Sequence, residues 1–188
     1  MKPLEKVFWD EIAEMLHVEE LLLKSLPKMR DAATSETLKT TLESYRVAAQ
    51  GQAQRIREVF DSFDLPKREK KCDAMMGLLV KGQQMMQRSG SSATLDAALV
   101  SLSRRINGYK VVSYQSVAAW AKLFKQKEIA KGLEKTAKAE QEAGAEFDGL
   151  TIEMNASAAE QMEDSVRPPV ARPKRPKELV EGARWGEW

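Results

Sequence analysis

Two glutamates occupy positions where the helical pattern of this chain calls for a large apolar side chain. The apolar stripe around the first contains Phe8, Ile12, Met15, Glu19, Leu22 and Leu26. The stripe around the second contains Ile129, Leu133, Thr136, Glu140, Ala143, Phe147, Leu150 and Met154. Both keep the spacing of three and four residues that places side chains on one helix face. Because a buried carboxylate needs a cation, a metal ion or a proton, Glu19 and Glu140 are the first candidates for chemistry.

Few other side chains suggest a reactive site. The one histidine, His17, lies two residues from Glu19 and so points to a different helix face, which indicates a structural role. The one cysteine, Cys72, has apolar neighbours, and we interpret it as an inert core thiol. One histidine and one cysteine cannot form the usual zinc site within a chain. The methionines of the third helix, which we interpret as core or interface packing and not as a copper site, are Met75, Met76, Met85 and Met86.

Helices account for nearly the whole sequence. Glycines and prolines are few, and most prolines follow residue 165. The apolar spacing predicts helices over about residues 4–30, 36–65, 70–87, 93–124 and 127–158. Pro27 is expected to kink or end the last turn of the first helix. Two long hairpins joined by a short helix predict an all-α protein, an antiparallel four-helix bundle with an extra short helix.

Five segments of the chain carry a resemblance to a known family. They are residues 19–29, 51–60, 71–77, 109–114 and 118–122. In this order they resemble the YciF-type ferritin-like family of bacterial stress proteins, which includes YciE and YciF, over roughly residues 5–155. The resemblance implies a ferritin-like bundle, a dimer, and a di-iron or related metal site inside the bundle.

Most positions at which that family holds metal are changed here. The resemblance aligns Glu19 and Glu140 with acids of the first and last helices. On the second helix, a histidine and an acid of the family correspond to Tyr45 and Ala48. On the fourth helix, a Glu-His-Tyr-Glu pattern corresponds to residues 107–110, which read Asn-Gly-Tyr-Lys. A further acid near the end corresponds to Gly144.

Lys110 suggests what stands in place of the metal. An ammonium group repels metal cations and can neutralise a buried carboxylate. We predict that a pair of Lys110 with a glutamate, with the Tyr45 hydroxyl as hydrogen-bond partner, replaces the metal site. The predicted buried polar cluster is Glu19, Tyr45, Asn107, Lys110 and Glu140. In the alternative, Lys110 reaches solvent, Tyr109 takes its place in the seam, and both glutamates stay half-exposed on a rotated helix.

The last part of the chain has a different composition. It is rich in proline and arginine, whereas the body of the chain is close to neutral. We predict a bundle domain over residues 1–160 and an extended C-terminal arm over residues 161–188, of which residues 167–177 should be polyproline-like. Tryptophan beside arginine is typical of binding hot spots. The candidate partner-binding residues of the arm are Arg172, Lys174, Arg175, Arg184, Trp185 and Trp188.

These features predict a non-catalytic protein that has lost its di-iron site and acts as a dimeric scaffold or adaptor through its arm. We expect it to be cytoplasmic, without a cofactor, without a membrane segment and without a broad nucleic-acid surface. The opposing hypothesis is a metal-binding stress-response protein that oxidises iron or handles peroxide. It requires Glu19 and Glu140 as iron ligands, with help from Glu43 or Glu142. A third hypothesis is an immunity or cargo-type protein that uses the fold only as a carrier.

Overall fold

Five α-helices make up the described part of the computed structural model, which covers residues 2–63, 65, 70–89 and 92–166. Their bounds are α1 Pro3–Ala32, α2 Glu36–Asp61, α3 Asp73–Ser89, α4 Ala93–Leu123 and α5 Lys127–Val166. The prediction of an all-α protein with four long helices and one short helix is confirmed. The candidate partner-binding residues, Arg172 to Trp188, lie outside the described residues.

The four long helices form two hairpins. Residues 33–35 connect α1 to α2 and residues 124–126 connect α4 to α5, so the helices of each hairpin run antiparallel. Contacts within each hairpin are extensive, whereas the hairpins meet along two narrower seams, α1 with α4 and α2 with α5. Helix α3 packs on α1 and α4 and so covers the first seam. No described helix covers the α2–α5 seam in the same way.

Apolar stripes from the long helices fill the space between the hairpins. Ile12 and Leu22 of α1 and Leu38 and Leu42 of α2 are fully buried, as the helical spacing of the sequence predicts. Aromatic rings close the end of the bundle where α1 begins and α4 ends. There Phe8 contacts Phe124 edge-on, with ring centroids 5.6 Å apart.

Several helix boundaries differ from those that the sequence predicts. Pro27 lies inside α1, which continues to Ala32 because Leu26 and Met29 on either side of it are buried in the core. Helix α2 ends at Asp61, earlier than predicted, where the Ser62 hydroxyl donates to the carbonyl of Val59. Helix α5 runs past residue 158 to Val166. Its Gln161 side chain accepts a hydrogen bond from the Ala93 amide at the start of α4 and so anchors this extension.

Candidate functional site

Four helices each contribute polar side chains to one buried point between the hairpins. We call this set the core polar cluster, and every member is at most 5% exposed. Its members are Glu19 of α1, Tyr45 and Gln52 of α2, Asn107, Lys110 and Tyr114 of α4, and Glu140 of α5. The structure thus brings together the five residues that the sequence nominated and adds Gln52 and Tyr114.

Lys110 lies at the centre of this cluster. Its Nζ is 3.0 Å from Glu19 Oε2 and 2.9 Å from Glu140 Oε1, and it donates a hydrogen bond to Gln52 Oε1 at 2.7 Å. The ammonium also lies 4.8 Å from the centroid of the Tyr45 ring, within the range of a cation–π contact. The Lys110 side chain is 0% exposed, so the alternative in which it reaches solvent does not hold.

Each carboxylate oxygen of Glu140 accepts two hydrogen bonds. Oε1 accepts from Gln52 Nε2 at 2.6 Å and from Lys110 at 2.9 Å. Oε2 accepts from the Tyr45 hydroxyl at 2.8 Å and from Asn107 Nδ2 at 3.0 Å. The same Asn107 nitrogen donates to the backbone carbonyl of Glu140 at 2.7 Å. Four donors therefore replace the water that this carboxylate loses on burial.

Glu19 is less completely satisfied. The Tyr114 hydroxyl donates to Oε1 at 2.7 Å. Oε2 lies 3.0 Å from the Lys110 ammonium as an ion pair, and no other described residue donates a hydrogen bond to it. Burial raises the pKa of Glu19 from 4.5 to about 7, with the charge of Lys110 opposing the rise and the charge of Glu140 adding to it. The folded protein therefore holds a proton on Glu19 at pH values where a solvent-exposed glutamate is ionised.

The two tyrosines serve as hydrogen-bond donors. Burial, with the nearby charges of Glu140 and Glu19, raises the pKa of Tyr45 well above its usual value of 10. Burial and the charge of Glu19 do the same for the pKa of Tyr114. Both phenols therefore keep their protons at physiological pH and hold the carboxylate oxygens that they face.

The polar contacts of the cluster mostly join one hairpin to the other. Helices α1 and α2 supply Glu19, Tyr45 and Gln52, whereas the other four members come from α4 and α5. Lys110 makes two of these links, to Glu19 and to Gln52, and Glu140 makes two more, to Tyr45 and to Gln52. Since each link has to be satisfied in a dry core, the set favours one register of the two hairpins over others.

The donor set of the cluster does not fit a di-iron centre. Paired iron requires several carboxylates and imidazoles converging on one point. The cluster offers two carboxylates, which both pair with the Lys110 ammonium, and it contains no imidazole. Throughout the described ranges, no group of three or more His, Cys, Asp or Glu side chains is placed to hold a metal ion.

Comparisons with known proteins identify the family of this chain. The family described as Domain of unknown function (DUF892) matches residues 3–160. The chain belongs to this family. It is also 27% identical to Protein YciF of Escherichia coli K12 over 153 residues, which covers 81% of this chain and 92% of that protein. The resemblance to the YciF-type family is therefore confirmed.

Solved structures show the same fold. The crystal structure of the E. coli stress protein YciF matches with a TM-score of 0.78 and 26% identity, over 83% of this chain and 99% of that one. The structure of YcfI from Rhodopseudomonas palustris matches with a TM-score of 0.75 and 24% identity, over 78% of this chain and 94% of that one. Among the described residues of this DUF892 protein, no helix is both long and apolar enough to cross a membrane.

Gly144 explains how one changed position of this DUF892 protein fits its neighbours. A Cβ atom at Gly144 would lie 2.6 Å from Asn107 Oδ1, well inside van der Waals contact. The resemblance places an acid of the family at this position. Because Asn107 now lies there and donates to Glu140, a side chain on residue 144 would displace Asn107 from this hydrogen bond.

Replacing Gly144 by alanine is therefore expected to lower the free energy of unfolding by about 1–3 kcal/mol, as overpacking does. The control is Gly149→Ala on the same helix, where a Cβ meets nothing within 4 Å. There the better helix propensity of alanine should raise stability by about 0.5–1 kcal/mol. Urea denaturation measures both, and equal effects of the two substitutions would contradict the close approach of Asn107.

His17 and Cys72 lie beside each other, a proximity that the sequence gave no reason to expect. The amide of Cys72 donates to His17 Nδ1 at 3.1 Å, and the thiol lies 3.0 Å from the Tyr109 hydroxyl. The imidazole thus bonds to the backbone and not to the sulfur, which is 1% exposed. This arrangement docks the start of α3 on α1 and does not form a Cys–His nucleophile pair.

The acids that the metal-binding hypothesis needs as helpers lie outside the cluster. Glu43 pairs with Arg30 and Arg46 at 2.8 and 2.7 Å on the surface of the first hairpin. Glu142 is 70% exposed and lies 4.0 Å from Lys138. Neither carboxylate reaches the buried point where Glu19 and Glu140 meet.

Sequence reasoning missed two members of the cluster, although each left a signal. Gln52 interrupts the apolar stripe of α2 between Ala49 and Ile56, where a buried amide needs partners. Tyr114 follows Lys110 by four residues and therefore shares its helix face. A search for neutral hydrogen-bonding residues on the stripes would have found both.

Proposed function

We propose that this chain is a metal-free, ferritin-like member of the DUF892 family in which the core polar cluster replaces a metal centre. The observation that supports this most strongly is the Lys110 ammonium, 3.0 Å from Glu19 and 2.9 Å from Glu140. An iron ion at the same point would meet a fixed positive charge in a poorly solvated core, where like charges repel strongly.

The proposed role is non-catalytic. An acid–base or redox catalyst has to bring its reactive groups to a substrate, whereas every cluster side chain is almost fully enclosed. The cluster instead fixes the packing of the two hairpins, as a scaffold requires. We place this role in the cytoplasm, in a stress-response setting that the name of the E. coli relative suggests.

We propose that a dimer forms through the exposed apolar face of α3. A cavity of about 230 Å³ lies between α3 and α1, and its lining is mostly apolar. Val80 of α3 borders it and is 51% exposed, with Met76 and Met86 on the same rim. Methionine side chains adapt their shape to a partner, and an apolar rim is typical of self-association. Through its arm, each protomer would then bind a further protein.

Val80→Lys is expected to turn a dimer of about twice 21.1 kDa into a monomer, since a second cation would be buried in the cavity that already contains Lys28 and no acid. The control is Val112→Lys on α4, where the parent side chain is 63% exposed and lies outside that cavity. Sedimentation equilibrium measures the mass of each. A monomeric wild-type chain, or equal masses for the two variants, would contradict the proposed scaffold.

A further inference from the structure

Three side chains of the core polar cluster form a closed triangle of hydrogen bonds. The Lys110 ammonium donates to Gln52 Oε1 at 2.7 Å. Glu140 Oε1 accepts from Lys110 Nζ at 2.9 Å and from Gln52 Nε2 at 2.6 Å. All three side chains are at most 1% exposed, so little water competes for these contacts. One carboxylate oxygen thus bridges the nitrogen of an amine and the nitrogen of a carboxamide.

The partners fix the orientation of the Gln52 amide. An ammonium only donates and a carboxylate only accepts, so the amide oxygen has to face Lys110 and the amide nitrogen has to face Glu140. Since a carbonyl bond is about 1.2 Å long, Lys110 Nζ lies within about 4 Å of the carboxamide carbon. Groups that a fold holds this close react as one molecule, at a very high effective concentration. The geometry therefore suits attack of the amine on the carboxamide.

We propose that Lys110 and Gln52 form an isopeptide bond, with Glu140 carrying protons between their nitrogens. Lys110 Nζ first passes a proton to Glu140 Oε1 and so gains a lone pair. Nζ then attacks the carboxamide carbon of Gln52. Glu140 returns the proton to Nε2, the bond from the carbon to Nε2 breaks, and Nε2 leaves as ammonia. Glu140 finally takes the second proton of Nζ, so the products are one amide, one ammonia and a protonated Glu140. The step needs no oxidant, metal or cofactor.

Glu140 is the carboxylate placed for this proton transfer. Glu19 Oε2 also lies 3.0 Å from Lys110 Nζ, but within the described part of the chain no hydrogen bond joins Glu19 to Gln52. Glu140, in contrast, contacts both the attacking and the leaving nitrogen. A positioned group that transfers a proton in this way contributes about 10²–10⁴-fold to a rate.

The products of the reaction suit a dry core. A neutral amide and a neutral carboxyl group replace an ammonium and a carboxylate, and burial disfavours charge. One amide bond replaces another, and escape of ammonia into dilute solution drives the reaction forward. Gln52 lines the cavity of about 260 Å³ between α2 and α5, which gives ammonia a way out. The ion pair is the reactant, so the freshly folded chain carries the Lys110 ammonium and the linked form accumulates with time.

The bond joins α2 of the first hairpin to α4 of the second. It makes permanent the register that the core polar cluster favours, which goes beyond the non-covalent scaffold of the proposed function. It depends on neither the arm nor the dimer, and its reactants are groups of the chain itself. The enclosure of the cluster, which keeps out a substrate from solution, therefore does not hinder it.

Peptide mapping of the full-length chain tests the link. Folded protein is incubated at neutral pH and then digested with trypsin, which does not cut after an acylated lysine. The linked product is residues 47–55, joined through Gln52 to Lys110 of residues 106–122. Its mass is lower by one ammonia than the sum of the two peptides. Succinimide formation at Asn107, which precedes a glycine, also releases ammonia but leaves the two peptides separate, so the branched peptide is decisive.

The branched peptide is expected to accumulate in the folded wild-type chain and not in an aliquot held unfolded in urea, where the triangle is lost. Lys110→Arg should abolish it, and Glu140→Gln should slow its formation by about 10²–10⁴-fold. Lys122→Arg, at an exposed lysine of the same helix, should leave the rate unchanged. Absence of the branched peptide from the folded wild-type chain, equal rates in urea, or an unchanged rate for Glu140→Gln would overturn the inference. Loss of water in place of ammonia would make a glutamate the acyl group and would also overturn it.

Discussion

Replacing Lys110 by methionine is expected to lower the free energy of unfolding by about 3–5 kcal/mol at pH 8. The substitution keeps most of the volume of the side chain but removes the cation that Glu19 and Glu140 share. Both carboxylates are at most 1% exposed, so the variant has to bury them without a cation or take up protons from solvent, and either costs free energy at pH 8. The charge, and not a cavity, accounts for the expected loss.

The loss should be smaller at pH 5. Lys110 opposes the rise in the pKa of Glu19, so without the ammonium that pKa rises further, and a group with a raised folded pKa loses its stabilising proton as the pH increases. The control is Lys122→Met on the same helix, where a 60% exposed lysine pairs with Glu134 and the cost should be about 0–1 kcal/mol. Urea denaturation at both pH values measures all three proteins. If Lys110→Met unfolds like Lys122→Met, the cluster does not depend on its ammonium.

Replacing Glu19 by glutamine is expected to change how stability depends on pH. The unfolding free energy of Glu19→Gln minus that of wild type should increase as the pH rises from 4.5 to above 7. The pKa of Glu19 is about 7 in the folded state and about 4.5 when unfolded. The folded state therefore holds a proton that the unfolded state has released, and wild-type stability falls through this window by on the order of 3 kcal/mol from this group. Glutamine is neutral throughout and lacks this loss.

The measured quantity is the difference in unfolding free energy between Glu19→Gln and wild type at each pH, which cancels the titration of other groups. Glu142→Gln is the control, because its parent carboxylate is 70% exposed and its difference should stay nearly flat. A flat difference for Glu19→Gln as well would mean that Glu19 titrates as an ordinary surface carboxylate and that its burial raises no pKa.

The sequence predicts the helices and the polar cluster because both depend on the same periodicity. Glu19 and Glu140 lie on apolar stripes, so a helical bundle has to bury them or break its pattern. The family resemblance then indicates which residues on the other helices face the two glutamates. One of them, Lys110, carries the positive charge that a buried carboxylate needs. Gln52 and Tyr114 are neutral and fit a stripe without conflict, which is why a search for charged residues overlooks them.

Other features depend on tertiary contacts that no local pattern encodes. Pro27 stays within α1 because the core holds the residues around it, against the local preference of proline to end a helix. The contact of His17 with Cys72 depends on where α3 crosses α1. The need for glycine at position 144 follows from Asn107 on a different helix, so only the packed structure reveals it.

The most direct test of the metal-free core is the iron content of the full-length protein after aerobic loading with ferrous iron and desalting. The ammonium between Glu19 and Glu140 predicts no stoichiometric iron and no oxidation signal in the wild-type chain. Lys110→Glu, which exchanges the cation for a third carboxylate, is expected to retain more iron than wild type. About one or two iron ions per wild-type chain, with an oxidation signal, would contradict the account and make Glu19 and Glu140 metal ligands.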